Sequence, residues 1–234
     1  MTTVTFGDLS FKLRPSAKRR TIGITVERDG QLILSTPPQV PIETLEKVVN
    51  EKRLWIHSKL IEKESLNPPP PAKEYVSGEG FYYLGRSYSL KLVDGVEGKP
   101  PLRLYQSRFE LQREALAQGR EAFIRWYCDR LSSILDTEIA AVVSRLEASP
   151  RSVQVRDLGY RWGSCGHKGD LYFHWRVAML PRVMIEYLAI HEMVHLIEPH
   201  HNHAFWDRVE QILPDFEKRK RWLAENGVNY DLER

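Results

Sequence analysis

Hydrophobic and polar residues alternate along the first third of the chain in the manner of short β-strands. The pattern occurs in TVTFGDLSFKL and in TIGITVERDGQLILSTP, where Asp29–Gly30 is a dipeptide typical of hairpin turns. Apolar residues then follow helical spacing in PIETLEKVVNEKRLWIHSKLIEKES. We expect a hairpin followed by one long helix, which begins near Pro41 and ends before the four consecutive prolines Pro68 to Pro71.

Strand patterns return after the prolines, in FYYLGRSYSLKLVDG and in LRLYQSRFELQ. From about Gln118 to Ala148 the apolar residues recur with a period near 3.6, which predicts a long helix that Pro150 ends. No internal repeat is evident.

The last third mixes strands and helices. We expect strands in SVQVRDL and DLYFHWRVAML, helices over about 181–198 and 202–212, and a final helix that begins at Pro214. The sequence thus predicts an α+β protein. It has a β-rich region at 1–116, which contains one long helix and a proline-rich connector at 67–72, and a second region at 117–234.

Composition limits the class of protein. The hydrophobic and charged fractions, 42% and 28%, are typical of globular domains, and a net charge of +3 is too small to indicate nucleic acid by itself. No apolar run approaches the roughly 20 residues that cross a membrane, and no signal peptide is evident. The two cysteines, Cys128 and Cys165, do not indicate a disulfide framework, although one bridge between them stays open. We expect a cytoplasmic protein without a membrane partner.

Five of the eight histidines fall within residues 191–203, where His191, Glu192 and His195 form the pattern H-E-x-x-H. On a helix, residues four apart lie on one face, so both imidazoles can reach one metal ion. Glu192 is offset by about 100° from its neighbours on the helix, so it need not be a ligand and can accept a proton from a metal-activated water. The pattern predicts a zinc site.

A catalytic zinc site usually has three protein ligands. Glu198 lies too close to His195 along the axis, and Pro199 should end the helix. We favour His201, because its spacing from His195 equals that of the longer zinc pattern H-E-x-x-H-x-x-G-x-x-H. The alternative is that surface histidines merely follow a core helix.

The remaining histidines carry less information. We expect His200 and His203 to adjoin the site or to face solvent. The other three, His57, His167 and His174, have no ligand spacing and are taken as structural.

A second segment, YRWGSCGHKGDLYFHW, contains three glycines that permit a tight loop, Gly163, Gly166 and Gly169. We expect the strand Leu171 to Trp175 to form a sheet edge near the metal, where an extended substrate can pair with it.

Two residues of that segment leave alternatives open. Cys165 is expected to be a small buried residue, the alternative being a fourth, inhibitory metal ligand. Arg161 has two possible roles: it stabilises a developing oxyanion or a phosphate, or it forms a structural ion pair.

Aromatic and basic residues near the C-terminus have ordinary explanations. Phe205, Trp206 and Trp222 are expected in the core. The KRKRW run that ends at Trp222 is expected to be a solvated helix face, with nucleic-acid contact as the alternative.

Taken together, these motifs resemble a known family. The stretch from Arg161 to Trp206 is similar to the YgjP-like metallopeptidase-domain family, distant relatives of the SprT-like and WLM proteases. It shares the Arg-Trp-Gly-Ser-Cys motif, the H-E-x-x-H helix, the His200–His201 step and the aromatic pair Phe205–Trp206.

This resemblance implies a zincin-like α/β domain whose active-site helix carries H-E-x-x-H. It implies zinc ligands at His191, His195 and His201, with Glu192 as the base. The candidate substrate-binding residues are Arg161, Trp162, Gly163, Ser164 and Cys165.

We therefore predict a zinc-dependent hydrolase, foremost a metallopeptidase that acts on a peptide or protein. One alternative is a metal-dependent nucleoside-triphosphate pyrophosphatase, with a nucleotide substrate, although no phosphate-cradling loop is evident. The other is a non-catalytic zinc-binding module, in which four protein ligands would close the site.

Overall fold

The computed structural model describes residues 3–26, 31–66, 73–95, 98–159 and 161–232, and for 61–66 the backbone alone. The chain is α+β, as predicted, and divides into two compact units, Met1–Pro68 and Pro69–Arg234. The expected turn at Asp29–Gly30 and the proline run lie outside the described residues.

The first unit contains a mixed four-stranded sheet. Its strands are β1 (Thr3–Phe6), β2 (Leu9–Pro15), β3 (Gly23–Val26) and β4 (Leu32–Thr36). The spatial order is β1-β2-β4-β3, with β2 and β4 parallel in the centre and an antiparallel pair at each side. The β3–β4 pair is the hairpin that the alternation predicts.

Two helices follow where one was expected, α1 (Ile42–Glu51) and α2 (Arg53–Leu66). They meet at Lys52, which leaves helical geometry with φ −100° and ψ 3°. Leu45 and Val49 of α1 and Ile56 of α2 are all buried in the core of this unit. Because the helix is interrupted, each of the two helices can turn its own apolar face toward that core.

The second unit begins with another mixed sheet. Its strands are β5 (Gly80–Tyr83), β6 (Arg86–Val93), β7 (Leu102–Tyr105) and β8 (Arg108–Gln112). Their order, β5-β6-β8-β7 with β6 and β8 parallel, reproduces the topology of the first sheet. The sequence shows no evident repeat, because strand order is set by backbone pairing and has little effect on which side chains occur.

A 3-10 helix, Arg113–Gln118, leads into the long predicted helix α3 (Gly119–Leu146). This helix shares one hydrophobic core with the sheet before it. The Phe81 and Phe123 rings stack 4.1 Å apart, and those of Phe109 and Trp126 meet edge-on at 4.9 Å. The boundary expected between residues 116 and 117 therefore lies inside the second compact unit.

A third sheet contains β9 (Ser152–Arg156), β10 (Gly163–Cys165) and β11 (Asp170–His174) in the order β10-β11-β9. Strand β11 pairs with β10 on one side and with β9 on the other. The prediction that residues 171–175 form a free edge is therefore wrong. Strands β10 and β9 lie at the two edges of this sheet instead.

The remaining elements are helical. They are a 3-10 helix (Trp175–Met179), α4 (Arg182–Val194), α5 (His203–Ile212), α6 (Phe216–Asn226) and a final 3-10 turn (Gly227–Asn229). Helix α4 ends four residues earlier than expected. Cys128 and Cys165 are both free thiols. None of the helices in the described ranges combines the length and the apolar character that a membrane crossing requires.

Candidate metal and catalytic site

Helix α4 carries both histidines of the H-E-x-x-H pattern. Most of its side chains are buried, which anchors the helix in the core. His195 follows the last helical residue but keeps helical geometry, with φ −63° and ψ −16°. His191 and His195 therefore remain on one face, with ring centroids 5.1 Å apart.

His201 reaches the same place from the loop after α4. The Nε2 atoms of His191 and His201 lie 3.0 Å apart, and the His195 and His201 ring centroids lie 4.7 Å apart. The loop ends at Asn202, whose side chain accepts a hydrogen bond from the Phe205 N–H at 2.9 Å and caps α5. Among the described residues, these three histidines bring ligand atoms within 4.8 Å of one another.

The three imidazoles fit a transition metal. Ligands of a tetrahedral zinc ion at about 2.0–2.1 Å stand about 3.3 Å from one another, close to the His191–His201 separation. His195 Nδ1 lies 3.0 Å from the Glu198 carbonyl oxygen, so the Nδ1–H tautomer donates there and leaves the Nε2 lone pair for a metal.

The protonation state of the three histidines also favours metal binding. Burial, together with the neighbouring His195, His201 and Lys220, lowers the pKa of His191 to about 3. Burial is also the main cause that lowers the pKa values of His195 and His201. Neutral imidazole is the form that binds metals, so the three rings are ready to do so at neutral pH.

Glu192 is buried beside these rings, with 5% of its surface exposed. Burial raises its pKa to about 8, and the positive charge of Arg161 opposes the rise. A carboxyl group with a pKa near neutrality can both accept and return a proton.

An open cleft of about 490 Å³ contains this cluster. Of the five residues predicted to bind substrate, Arg161, Gly163, Ser164 and Cys165 line it. Trp162 does not: it is buried, and the Arg176 guanidinium lies 5.4 Å from its ring.

Cys165 lines the cleft but does not belong to the histidine cluster among the described residues. Burial, followed by the charges of Glu192 and Asp170, raises the pKa of its thiol. The thiol therefore stays protonated at neutral pH, a form that binds metals poorly.

Some of the other histidines line the cleft, and the rest lie elsewhere in the structure. His200 lines the cleft, and His203 begins α5 outside the cluster. His167 also lines the cleft, although it was taken as structural. Its place between Gly166 and Gly169 was the signal that could have identified it. His174 is buried, and His57 lies 3.3 Å from Asp8 in the first unit.

Residues near the C-terminus also adjoin the cluster. Trp206 stacks on His201, and the Lys220 ammonium group lies 4.0 Å from the Trp206 ring centroid. Lys220 belongs to the basic run that was expected to form only a solvated face. The spacing along α6 did not reveal this contact, because it depends on how α5 and α6 meet.

Three converging imidazoles and a buried carboxylate beside an open cleft are the kinds of side chain that metal-dependent hydrolases use. The chain belongs to the YgjP-like family, whose model describes a metallopeptidase domain and matches residues 20–226. The resemblance noted from the motifs is thereby confirmed.

Other comparisons add less. The chain is similar to the crystal structure of the metallopeptidase zymogen of Pyrococcus abyssi abylysin, with 22% sequence identity and a TM-score of 0.36. That similarity covers 38% of this chain and 92% of the other. No curated protein matches.

Proposed function

We propose that this protein is a zinc-dependent metallopeptidase in which His191, His195 and His201 hold the ion and Glu192 transfers protons. The observation that carries the proposal is the meeting of three neutral imidazoles beside a buried carboxylate in a cleft that is open to substrate. A zinc ion held there would polarise a substrate carbonyl group and lower the pKa of a water molecule.

Glu192 is the proton carrier in this proposal. It follows His191 directly in α4, and its carboxyl group is buried beside the cleft, where it can take a proton from the attacking water. The same proton then passes to the amine that leaves when the peptide bond breaks. Arg161, which lines the cleft and interacts electrostatically with Glu192, keeps a share of the carboxyl group ionised.

The number of ligands supports a catalytic site over a structural one. In the described part of the chain three side chains, and not four, bring ligand atoms together. Structural zinc sites normally have four protein ligands, whereas catalytic sites leave one position for water or substrate.

Substrate binding falls to the edge strand β10 in this proposal. It lines the cleft and, within the described part of the chain, has a paired neighbour, β11, on one side only. An extended peptide can add to such an edge through backbone hydrogen bonds, with the side chains of Ser164 and Cys165 beside it. We propose that α4 and this sheet, within residues 117–234, form the zincin-like part of the second unit.

The chain is also expected to act in the cytoplasm. Reducing conditions there keep cysteines as free thiols, the state in which the structure holds Cys128 and Cys165.

The test compares the wild type with Glu192→Gln. Both proteins are analysed for metal content and assayed with quenched fluorescent peptides, denatured casein and nucleoside triphosphates. We expect both to contain zinc, the wild type to cleave peptides, and the variant to lose about 100-fold or more of the turnover rate. Full turnover by Glu192→Gln would contradict the role of Glu192. Pyrophosphate release without peptide cleavage would contradict a peptidase.

A further inference from the structure

We propose that Gly163 is a positioning residue whose missing side chain leaves the space that the Glu192 carboxyl group occupies. The inference rests on the proton-transfer role proposed for Glu192. It explains why the Trp-Gly-Ser-Cys segment has a glycine at this position. Neither metal binding nor the strand pairing of β10 requires a glycine there.

The contact between the two residues is close. A β-carbon added to Gly163 would lie 2.6 Å from Glu192 Oε1, 2.8 Å from Cγ and 2.9 Å from Cδ. All three distances are below 3.0 Å, which real β-carbons essentially never show. Gly163 does not have a positive φ, so its backbone accepts any residue, and the three atoms nearest to an added β-carbon all belong to Glu192.

Strand β10 cannot move away to relieve such an overlap. Gly163 pairs with Phe173 of the central strand β11, and Phe173 is fully buried. The preceding residue, Trp162, is also held: its carbonyl oxygen accepts a hydrogen bond from the His174 N–H at 2.9 Å. Its ring packs so closely on Gly227 that a β-carbon there would lie 2.9 Å from the indole.

Helix α4 is equally constrained on the other side of the contact. Ala189, Met193 and Val194 have no exposed surface, so the helix backbone is packed against the core. The part that can move is the Glu192 side chain itself. A methyl group on Gly163 would rotate the carboxyl group away from its present position while leaving the histidine rings in place.

The consequence is a specific loss of turnover. Displacement of a reacting group by about 1 Å can reduce a rate about 100-fold. We expect Gly163→Ala to lower kcat by that order, with little change in KM and with zinc content equal to that of the wild type. Loss of zinc would contradict the inference, because it would show that the glycine acts on the ligands.

Melting temperatures test the contact independently of activity. In the wild-type background, Gly163→Ala overpacks the site and should lower the melting temperature by about 2–10 °C. In a Glu192→Ala background the overlapping atoms are gone, and the same substitution should lower it no further. An equal loss in both backgrounds would overturn the inference.

Gly80→Ala is the matched control. Gly80 lies in strand β5 and is not among the residues that line the cleft, and a β-carbon added there would lie 2.6 Å from Ser87 Oγ. The substitution creates a similar overlap with a side chain that has no catalytic part. We expect an ordinary loss of stability with unchanged kcat on the peptide that the wild type cleaves fastest.

The remaining outcomes are also decisive. If Gly163→Ala does not fold alone but folds together with Glu192→Ala, the contact is the cause and the inference stands. If it folds in neither background, or if Gly163→Ala is as active as the wild type, the inference is overturned. A wild type that cleaves no peptide would contradict the proposed function and leave the melting temperatures to decide the contact.

Discussion

The imidazole of His201 stacks on the indole of Trp206, with ring centroids 5.5 Å apart and planes inclined by 21°. Trp206 stacks in turn on Phe216 at 5.3 Å. His201 lies in the loop between α4 and α5, so no helix orients its ring. Aromatic packing therefore takes part of the role that hydrogen bonds to ligand histidines usually have.

Removal of this indole should weaken metal binding. We expect Trp206→Ala to raise the dissociation constant for zinc by about 10-fold to 100-fold, the usual effect of losing a group that orients a ligand. Trp206→Phe should restore most of the affinity because it keeps a stacking ring. Competition with a zinc-binding dye measures both. Trp222→Ala removes another partly buried indole, one that contacts Tyr230, and should leave the affinity unchanged.

The assignment of the third ligand can be tested by comparison of neighbouring histidines. His201→Ala should lose most of its zinc on dialysis, because two imidazoles then remain of the three. His203→Ala, at the start of α5, should keep a wild-type zinc content. The reverse result, with zinc lost from the His203 variant, would show that the ligand was misassigned.

Stability should depend on pH through His174. Burial is the main cause that lowers its pKa from 6.5 to about 4 in the folded protein. Between these values the unfolded chain binds the proton more readily, so the free energy of unfolding should fall as pH falls from 6.5 to 4. The loss attributable to His174 is about 3 kcal/mol.

Replacement of His174 should remove its contribution to the change of unfolding free energy with pH. Asn is suitable, since its side-chain oxygen can replace Nδ1, which accepts a hydrogen bond from the Arg176 N–H at 3.1 Å. Denaturant unfolding at a series of pH values gives the slope for both proteins. The nearby Asp157 carboxylate stays in both, so an unchanged slope in His174→Asn would rule out His174 as its source.

The ion pair between Arg176 and Asp231 should be important for stability. Both side chains are about nine-tenths buried, and Arg176 also donates to the Gly159 carbonyl oxygen at 2.6 Å. Asp231→Ala leaves the guanidinium without its carboxylate and should cost about 3–5 kcal/mol of unfolding free energy. The exposed pair of Asp94 with Arg113 is the control, because Asp94→Ala should cost less than about 1 kcal/mol. Equal effects would contradict the prediction.

The local sequence pattern was sufficient to predict where most of the histidines of the candidate site lie. The spacing of His191 and His195 required only helical geometry, and the structure directs both rings toward one point. His201 was predicted from its spacing after His195, which equals that of the longer zinc pattern, although α4 ends at Val194 and not at Pro199. The assignment of all three as zinc ligands, with Glu192 as the base, stays a prediction.

Relations between distant segments were harder to predict. The free edge was expected at residues 171–175, but β9 pairs with β11 in parallel and leaves β10 outside. The side chains of β11 do not reveal that β9 is its neighbour. A strand that is buried on both faces has the same hydrophobic pattern in the centre of a sheet as at its edge. One topology also occurs in two sheets without an obvious repeat in the sequence, because strand order depends on backbone pairing.

Periodicity along the chain was enough to establish most of the helices and strands, the α+β class and the shared face of His191 and His195, since these depend on residues a few positions apart. The packing of segments far apart in the chain decided the rest: the grouping of the second sheet with α3, the burial of Trp162, the stacking of Trp206 on His201, and the contact of Gly163 with Glu192. These contacts depend on which apolar surfaces pack against each other and so exclude water. The sequence of a single segment does not contain that information.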